Sequence, residues 1–323
     1  MRSSQLDRNV INRFKSRTFN DSTVWTADFS GTVMLYVCGG GGSGAMYEYT
    51  NAAHASGGGA GGMAIKRVKV ESGTAYTITI GAGGTKLTSQ GHGVAGGNTS
   101  FVGGSINMVG NGGAGGTYSH LLGTGGAGGT ASGGDWNNTG GRGGNSVKVN
   151  SSEACGTGGG AVGLYGDGYR GGDNSYTGSV GTGGAGIGGN GGDATSTVSR
   201  GGGTGGAGGT ASLTEGADSG GWWHNSLIDI SAKGGNPISA AVVFDQTVAG
   251  GNGNINQTIT GLVAGPLCGG GGLGSYSTTN QYATSGYYGG GGGGAAKDNA
   301  TGATSSGAGG DGFVFMVMEN TYA

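Results

Sequence analysis

Gly123–Ser132 reads GTGGAGGTAS, and the same ten residues return unchanged at Gly203–Ser212. A shortened form, GTGGAGIGG, occupies Gly181–Gly189. Related runs start at Gly39 (GGGGSGA), Gly57 (GGGAGG), Gly110 (GNGGAGG), Gly156 (GTGGGAVG), Cys268 (CGGGG) and Gly289 (GGGGGGAA). What these runs are decides the fold. Aperiodic glycine at this density is commonly disorder or linker. Collagen requires glycine at every third place and abundant proline. This chain has 2 Pro, and its GG and GGG steps break the period. The third reading is a polyglycine II bundle, in which each run is an extended threefold helix rising ~3.1 Å per residue. Such a helix makes no internal hydrogen bonds. Lacking Cβ atoms, its neighbours approach closely enough to pair backbone groups with one another.

The bundle is the preferred reading because the runs alternate with sequence that wants to fold. Apolar β segments bracket them, and GGN or GGD steps punctuate them at Asn98, Asn145, Asp173 and Asp193. The energetics are tight. Ordering one backbone residue costs roughly 1–2 kcal/mol, with glycine at the high end. A hydrogen bond returns about 0.5–1.5 kcal/mol net, and a Cα–H···O contact about 0.5–1 kcal/mol. A bundle holds only if nearly every run is surrounded by others, which accounts for their number.

Composition sets further bounds. Of 323 residues 89 are glycine, 10% are charged, and the net charge is −2. A near-neutral chain has no electrostatic footprint for nucleic acid. With 33% hydrophobic and 7% aromatic residues the chain lacks the material for one large apolar core. No apolar run approaches the ~20 residues of a membrane span. The first twenty residues, MRSSQLDRNVINRFKSRTFN, lack a signal peptide's apolar centre, so synthesis in the cytosol without a cleaved signal is expected. Cys38, Cys155 and Cys268 are odd in number and far apart, unlike a disulfide framework. Each precedes a glycine, and the set reads as buried small thiols at the mouths of runs rather than a three-thiolate metal site.

Residues 4–17 read as a short helix with Leu6, Val10 and Phe14 on one face and Ile11 beside them. Arg2, Arg8, Arg13, Lys15 and Arg17 against Asp7 give this segment about +4, five minus one, while the remainder is acidic. It reads either as a solvated helix or as a docking peg for a partner. We divide the chain into a 1–20 docking helix and a 21–323 glycine-rich domain. Strands are expected at Thr23–Phe29, Thr32–Cys38, Met63–Glu71, Ala75–Ile80 and Phe313–Met318, the middle pair forming a hairpin about Ser72-Gly73. β segments from the two chain ends, with Tyr36-Val37-Cys38 leading into GGGG and Phe313–Met318 following GAGGDG, are expected to share a sheet. A low-glycine island at 227–263 reads as an inserted β unit.

The order of parts resembles the glycine-rich domain of bacteriophage tail-fibre tip and adhesin proteins. VMLYVCGGGGSG runs into GGGAGG, then a basic strand, AYTITIGAGG (Ala75–Gly84), a GGNTSF turn (Gly96–Phe101), and a closing GGDGFVFMV. The resemblance spans about Thr23 to Asn320. It implies an all-β, otherwise irregular fold: a polyglycine II sandwich flanked by a small sheet from both chain ends. It also implies a virion location, a bacterial surface receptor (glycan or outer-membrane protein) bound by turn loops, and attachment to another fibre or tail protein through Leu6, Val10 and Phe14. Monomer and homotrimer both remain open. Glycine-rich domains also occur in animal receptor ectodomains and an antifreeze protein; the unrecognised signal and disulfides argue against both.

Chemistry beyond binding is not written in the sequence. GxGxxG matches arise by chance and none opens a helix after a strand; there is no GxxxxGK[ST]. His54, His92, His120 and His224 lack metal-ligand spacing. The expectation is a non-enzyme with no cofactor and no metal. The positive signal is aromatic: Trp222, Trp223 and His224 first, then Tyr276, Tyr282, Tyr287 and Tyr288, with Trp136, Tyr165, Tyr169, Tyr47 and Tyr49. Tyr and Trp among Ser, Gly and Asn compose loop-built binding surfaces. The competing reading is that the rings cap the ends of the bundle.

Overall fold

The computed structural model describes residues 16–48, 54–147, 166–173, 289–297 and 304–318, with short pieces at 154–155, 159, 162, 198–199, 210–211, 275–277, 281–283 and 285–286. Residues 4–15 of the expected N-terminal helix and the 227–263 island lie outside the described residues. The helix's last two residues, Ser16 and Arg17, belong instead to the Ser16–Phe19 strand, where pairing with Phe313–Met318 takes their backbone groups. Among the described residues the chain is all-β, with no helix.

Two five-stranded antiparallel sheets form a sandwich. In the first, Ser16–Phe19, Phe313–Met318, Gly31–Cys38, Met63–Val70 and Trp136–Asn138 lie side by side in that order. The second runs Ala131–Ser132, Ile106–Gly110, Thr99–Gly103, Ala75–Thr79, Thr23–Thr26. The last strand of the chain thus sits between the first and the third, as expected of β segments from both chain ends. Period-two alternation sends Val33, Leu35 and Val37 inward with Ala64, Val68, Val70, Val314 and Met316. From the other sheet Trp25, Tyr76, Ile78, Phe101, Ile106 and Met108 meet them. Trp25 is the aromatic centre, stacked on Tyr76 at 5.5 Å with the Arg17 guanidinium 5.2 Å from its ring centroid. Each large apolar side chain buried here contributes about 1.5–3 kcal/mol.

One expectation is corrected. Met63–Val70 and Ala75–Thr79 do not pair as a hairpin: the former bonds to Gly31–Cys38, the latter to Thr23–Thr26 and Thr99–Gly103. The Ser72-Gly73 turn, with Gly73 at φ 84°, hands the chain from one sheet to the other. Val68 and Val70 face the same core as Tyr76 and Ile78, so the two segments pack face to face rather than edge to edge.

Beyond the sandwich the strands continue as glycine runs. Cys38 leads into Gly39, Gly110 into Asn111, and the 57–62 and 305–312 runs lead into Met63 and Phe313. These runs form no β ladders, yet their backbone groups are paired. Gly39, Gly42 and Ala45 donate to Gly62, Gly59 and Ser56; Gly40 and Ser43 to Gly97 and Val94; Gly41 and Gly44 to Gly310 and Gly307. The partner run changes with a period of three. Three further runs donate back, through Gly84 to Gly41, Gly113 to Gly40 and Gly292 to Gly42, so the 39–45 run has six neighbours. The 57–62 run repeats the pattern: Gly57 and Ala60 donate to Gly144 and Gly141, Gly58 and Gly61 to Gly292 and Gly289, Gly59 and Gly62 to Ala114 and Asn111.

Glycine is required where runs touch. A Cβ on Gly42 would fall on the carbonyl of Ala114, with the Gly113 oxygen 2.9 Å away. Polar side chains serve the ends of the lattice. The Asn98 carbonyl accepts Gly112 N–H at 2.9 Å, the Asp311 carboxylate Gly83 N–H at 2.7 Å, and the Ser43 hydroxyl oxygen Val94 N–H at 2.8 Å. Asp173 accepts the Asn145 N–H at 2.7 Å and pairs with Arg142 at 3.0 Å and Arg170 at 3.3 Å, pinning the 166–173 segment.

Candidate functional site

Strand directions define two poles. Ser16 pairs with Val317 and Gly31 with Val70, so Ser16 and Met318 lie together at the outer pole of the sandwich. The runs leave from the opposite ends of the same strands. Seven residues from Gly39 to Ala45 carry the chain away from the sandwich to a distal pole. There short strands tie the runs together. Met46–Glu48 pairs in parallel with Ala295–Lys297, which pairs with Ser275–Ser277. His54–Ala55 pairs with Tyr118–Ser119 and with Ala154–Cys155.

The Thr117–Thr124 loop stands on this base. Its two ends are clamped: Thr117 N–H donates to Thr124 O at 3.0 Å, and Thr124 N–H to the Thr117 hydroxyl at 2.7 Å. Inside it the Ser119 hydroxyl oxygen accepts the Leu121 N–H at 3.1 Å. The clamp leaves Leu121 65% and Leu122 49% exposed, two leucines turned outward on a fixed loop. Beneath them lies a ring stack. Tyr118 is stacked on Tyr47 at 4.9 Å and on His92 at 4.4 Å. The Tyr47 hydroxyl is 2.7 Å from a ring nitrogen of His120, whose ring meets Tyr47 edge-on at 5.3 Å. Tyr47 and His54 are buried, whereas His92 and His120 are exposed. The outcome is an apolar knob flanked by two imidazoles, supported by the buried Tyr47 ring.

The aromatic residues singled out from the sequence divide. Tyr47 comes to the distal pole as a buried support for the loop rather than a surface ring. Tyr276 pairs through Ala296 with the strand of Tyr47, so its backbone is distal too. Tyr282 lies in a short strand paired with Thr304–Ser305. Trp136 and Tyr169 are exposed but flank the body, Trp136 opposite Ile65 in the first sheet. Trp222, Trp223, His224, Tyr49, Tyr165, Tyr287, Tyr288, Leu6, Val10 and Phe14 lie outside the described residues. The sequence-based candidates omit His92, Tyr118, His120, Leu121 and Leu122. The signal for all but His92 is the TYSHLL step, two leucines beside a histidine between glycine runs.

Among the described residues no group of three His, Cys, Asp or Glu side chains is arranged to hold a metal ion. Cys38 is fully buried where its strand meets Gly39, and burial pushes its thiol up to about 12. It packs there with Met63 and Phe313. No curated protein matches the chain. A family model described as a glycine-rich domain matches residues 18–236, which include the described sandwich except Ser16, Arg17 and the Phe313–Met318 strand, and the 39–45, 57–62 and 111–130 runs. With its model covering more than half of the sequence, the chain belongs to the glycine-rich domain family.

Proposed function

We propose that this protein is the receptor-binding tip of a phage tail fibre, a virion adhesin that grips a bacterial surface glycan or outer-membrane protein without covalent chemistry. The observation that carries the reading is the separation of poles. The described chain enters the sandwich at Ser16 and leaves it at Met318 at one pole, and the clamped Thr117–Thr124 loop with its exposed leucines stands at the other. Attachment and recognition are thereby kept apart by a stiff spacer. At the outer pole, Leu6, Val10 and Phe14 dock to another fibre or tail protein, and the basic excess of residues 1–20 favours an acidic partner.

We read the spacer as a polyglycine II bundle. The support is the period of three in the donor partners of the 39–45 and 57–62 runs, together with six neighbours around a central run. A threefold extended helix directs successive N–H groups about 120° apart, which is what such a pattern requires. Loops at the far end of such a body can change sequence without disturbing the paired interior.

Competition for adsorption tests the function. Purified protein should block attachment of the phage that carries it to its host. Leu121→Ser with Leu122→Ser should weaken cell binding about thirtyfold, as truncating anchors worth ~2 kcal/mol would. Trp222→Ala with Trp223→Ala tests the second aromatic loop. If saturating wild-type protein leaves adsorption unchanged, the domain is a spacer and the adhesin reading fails.

A further inference from the structure

The second sheet and the glycine runs that leave it form one uninterrupted layer. Thr99 lies opposite Gly110 in the sheet, and that register holds into the runs, where Gly96 donates to Gly113 and Gly93 to Gly116. On the next seam Ala131 lies opposite Gly110, and Asn111 and Ala114 donate to Thr130 and Ala127 in the same register. The 39–45 and 57–62 runs lie behind this layer, through Gly113 N–H to Gly40 O and Gly59 N–H to Ala114 O. Its other side carries rows of outward side chains, since directly opposed residues in antiparallel strands share a face. Over the sandwich core, Val24, Thr77, Val102 and Asn107 make one exposed row, Val24 at 64% and Val102 at 40%. Exposed Thr79 and Ser132, with half-buried Ser100 and Val109 between them, make the second. In the runs the outward interval lengthens from two residues to three. Asn98, Asn111 and Thr130 form a third row, and exposed Ala95, Ala114 and Ala127 a fourth. Thr117 and Thr124 end the wall. No residue of these rows is charged. Lys86 and Arg142 stand on the flanking runs, and Arg142 is drawn to Asn145 at 2.6 Å and Asp173 at 3.0 Å. The first sheet, by contrast, exposes Arg67 and Lys69.

We propose that this wall is the contact surface between two copies of this chain, set wall against wall about a two-fold axis. Three features select a second copy as the occupant. A two-fold interface sets a patch against itself. A flat, uncharged wall matches its own copy in shape and meets no like charge across the axis. The area also suffices. The wall is four chains wide at ~4.8 Å each and, with the runs taken as extended at ~3.1–3.4 Å per residue, about 32 Å long from Asn107 to Thr117. That is roughly 600 Å², and two such walls reach the ~1,200 Å² at which specific interfaces begin. Finally, covering it costs little. Alanine has no side-chain freedom to lose, and serine, threonine and valine have little. The third row is already bonded within the wall: the Asn98 side-chain oxygen accepts Gly112 N–H at 2.9 Å, and Asn111 Nδ2 donates to Thr130 Oγ1 at 3.0 Å. The leucines of the distal loop lie beyond the wall's end, so the dimer stands whether or not they meet a receptor.

The test is sedimentation velocity of the full chain across about 1–100 μM, the range in which an interface of modest area dissociates. We expect a monomer–dimer equilibrium. Thr77→Lys with Ala114→Lys should weaken it at least tenfold, and Thr77→Glu with Ala114→Glu likewise, because like charges then face each other. An equal mixture of the two variants should dimerise again, positive wall on negative wall. Lys69→Glu, on the opposite face of the sandwich, should associate as wild type. If a double variant melts more than a few degrees low, Thr77→Lys and Thr77→Glu, which change only the sheet, take the place of the pair. A wild type that stays monomeric throughout overturns the proposal. So does a trimer, because a wall that faces its own copy closes at two. It is overturned equally if the charged variants dimerise as wild type, if their mixture stays monomeric, or if Lys69→Glu dissociates, which would place the contact on the first sheet.

Discussion

Gly42→Ala is a one-carbon change that the lattice cannot absorb locally. The new methyl would occupy the position of the Ala114 carbonyl, so the run containing Ala114 must move away from the run containing Gly42. That run is held to it by Gly113 N–H to Gly40 O at 2.9 Å and Gly116 N–H to Ser43 O at 3.0 Å. Both acceptors are buried. Losing a buried backbone hydrogen bond leaves groups unsatisfied at about 1–3 kcal/mol each. Two bonds therefore cost about 2–6 kcal/mol. Alanine restricts the unfolded chain and offsets about 0.4–1 kcal/mol of this. A net loss of about 2–5 kcal/mol lowers Tm by roughly 4–20 °C, at the ~2–4 °C per kcal/mol of a chain this large. Thermal unfolding followed by circular dichroism measures it, with Ala114→Ser as the control. Ala114 is exposed, and surface changes stay within about 0.5 kcal/mol. Ser43, in the run of Gly42, and Ala60, in the neighbouring 57–62 run, are buried and carry side chains. The penalty therefore belongs to a position, not to any side chain inside the lattice. A Gly42→Ala protein melting within 2 °C of wild type would refute the reasoning.

Cys38, in a Cys155→Ser/Cys268→Ser background, should resist a thiol reagent at pH 8 until the protein is unfolded. Because burial raises its folded pKa above the ordinary 9.0 to about 12, its contribution to stability is complete below pH 9 and is lost as pH climbs towards 12; a melting temperature indifferent to Cys38→Ala across that window would contradict this. Tyr47→Phe removes the hydroxyl that meets His120 and should cost about 1 kcal/mol. Hydrogen exchange should then quicken across Thr117–Thr124 while the sandwich strands stay unchanged. Asp173→Asn weakens the ion pairs to Arg142 and Arg170, which are about one-third exposed, so about 1 kcal/mol is expected. Tryptic cleavage after Arg170 should rise about fivefold, and an unchanged rate would show that the 166–173 segment is held by its backbone bonds alone.

Much of the architecture could be read from residues. VMLYVC followed by GGGG announces a strand that leaves its sheet, and FVFMVM after GAGGDG announces its partner from the other chain end. Strand limits differ by a few residues, as at Thr23–Thr26, because Ala27 bonds to the turn at Gly73 and Thr74 instead of a strand. The Met63–Val70 and Ala75–Thr79 pair was misread because adjacency and a Ser-Gly turn suit a hairpin and a sheet-to-sheet crossing equally. Only the partners, Gly31–Cys38 and Thr23–Thr26, decide between them. Asn98 and Asp311 look like residues that satisfy their own turn. They instead cap Gly112 and Gly83 of other runs, a role with no local trace. Tyr47 shows the same limit at the candidate site: its composition marks a loop aromatic, and only the arrival of Tyr118 and His120 makes it a support.

The central run also sets an order of assembly. Gly41 donates to Gly310, and Gly31–Cys38 pairs with Phe313–Met318. At ribosomal rates of ~5–20 residues per second, the run around Gly41 emerges tens of seconds before these partners exist. Until then one side of the run and one edge of its strand remain hydrated. Folding that depends on such distant contacts is slow, and the closing step belongs to the end of the chain. Loss of Phe313–Met318 would therefore leave Gly31–Cys38 unpaired along one edge.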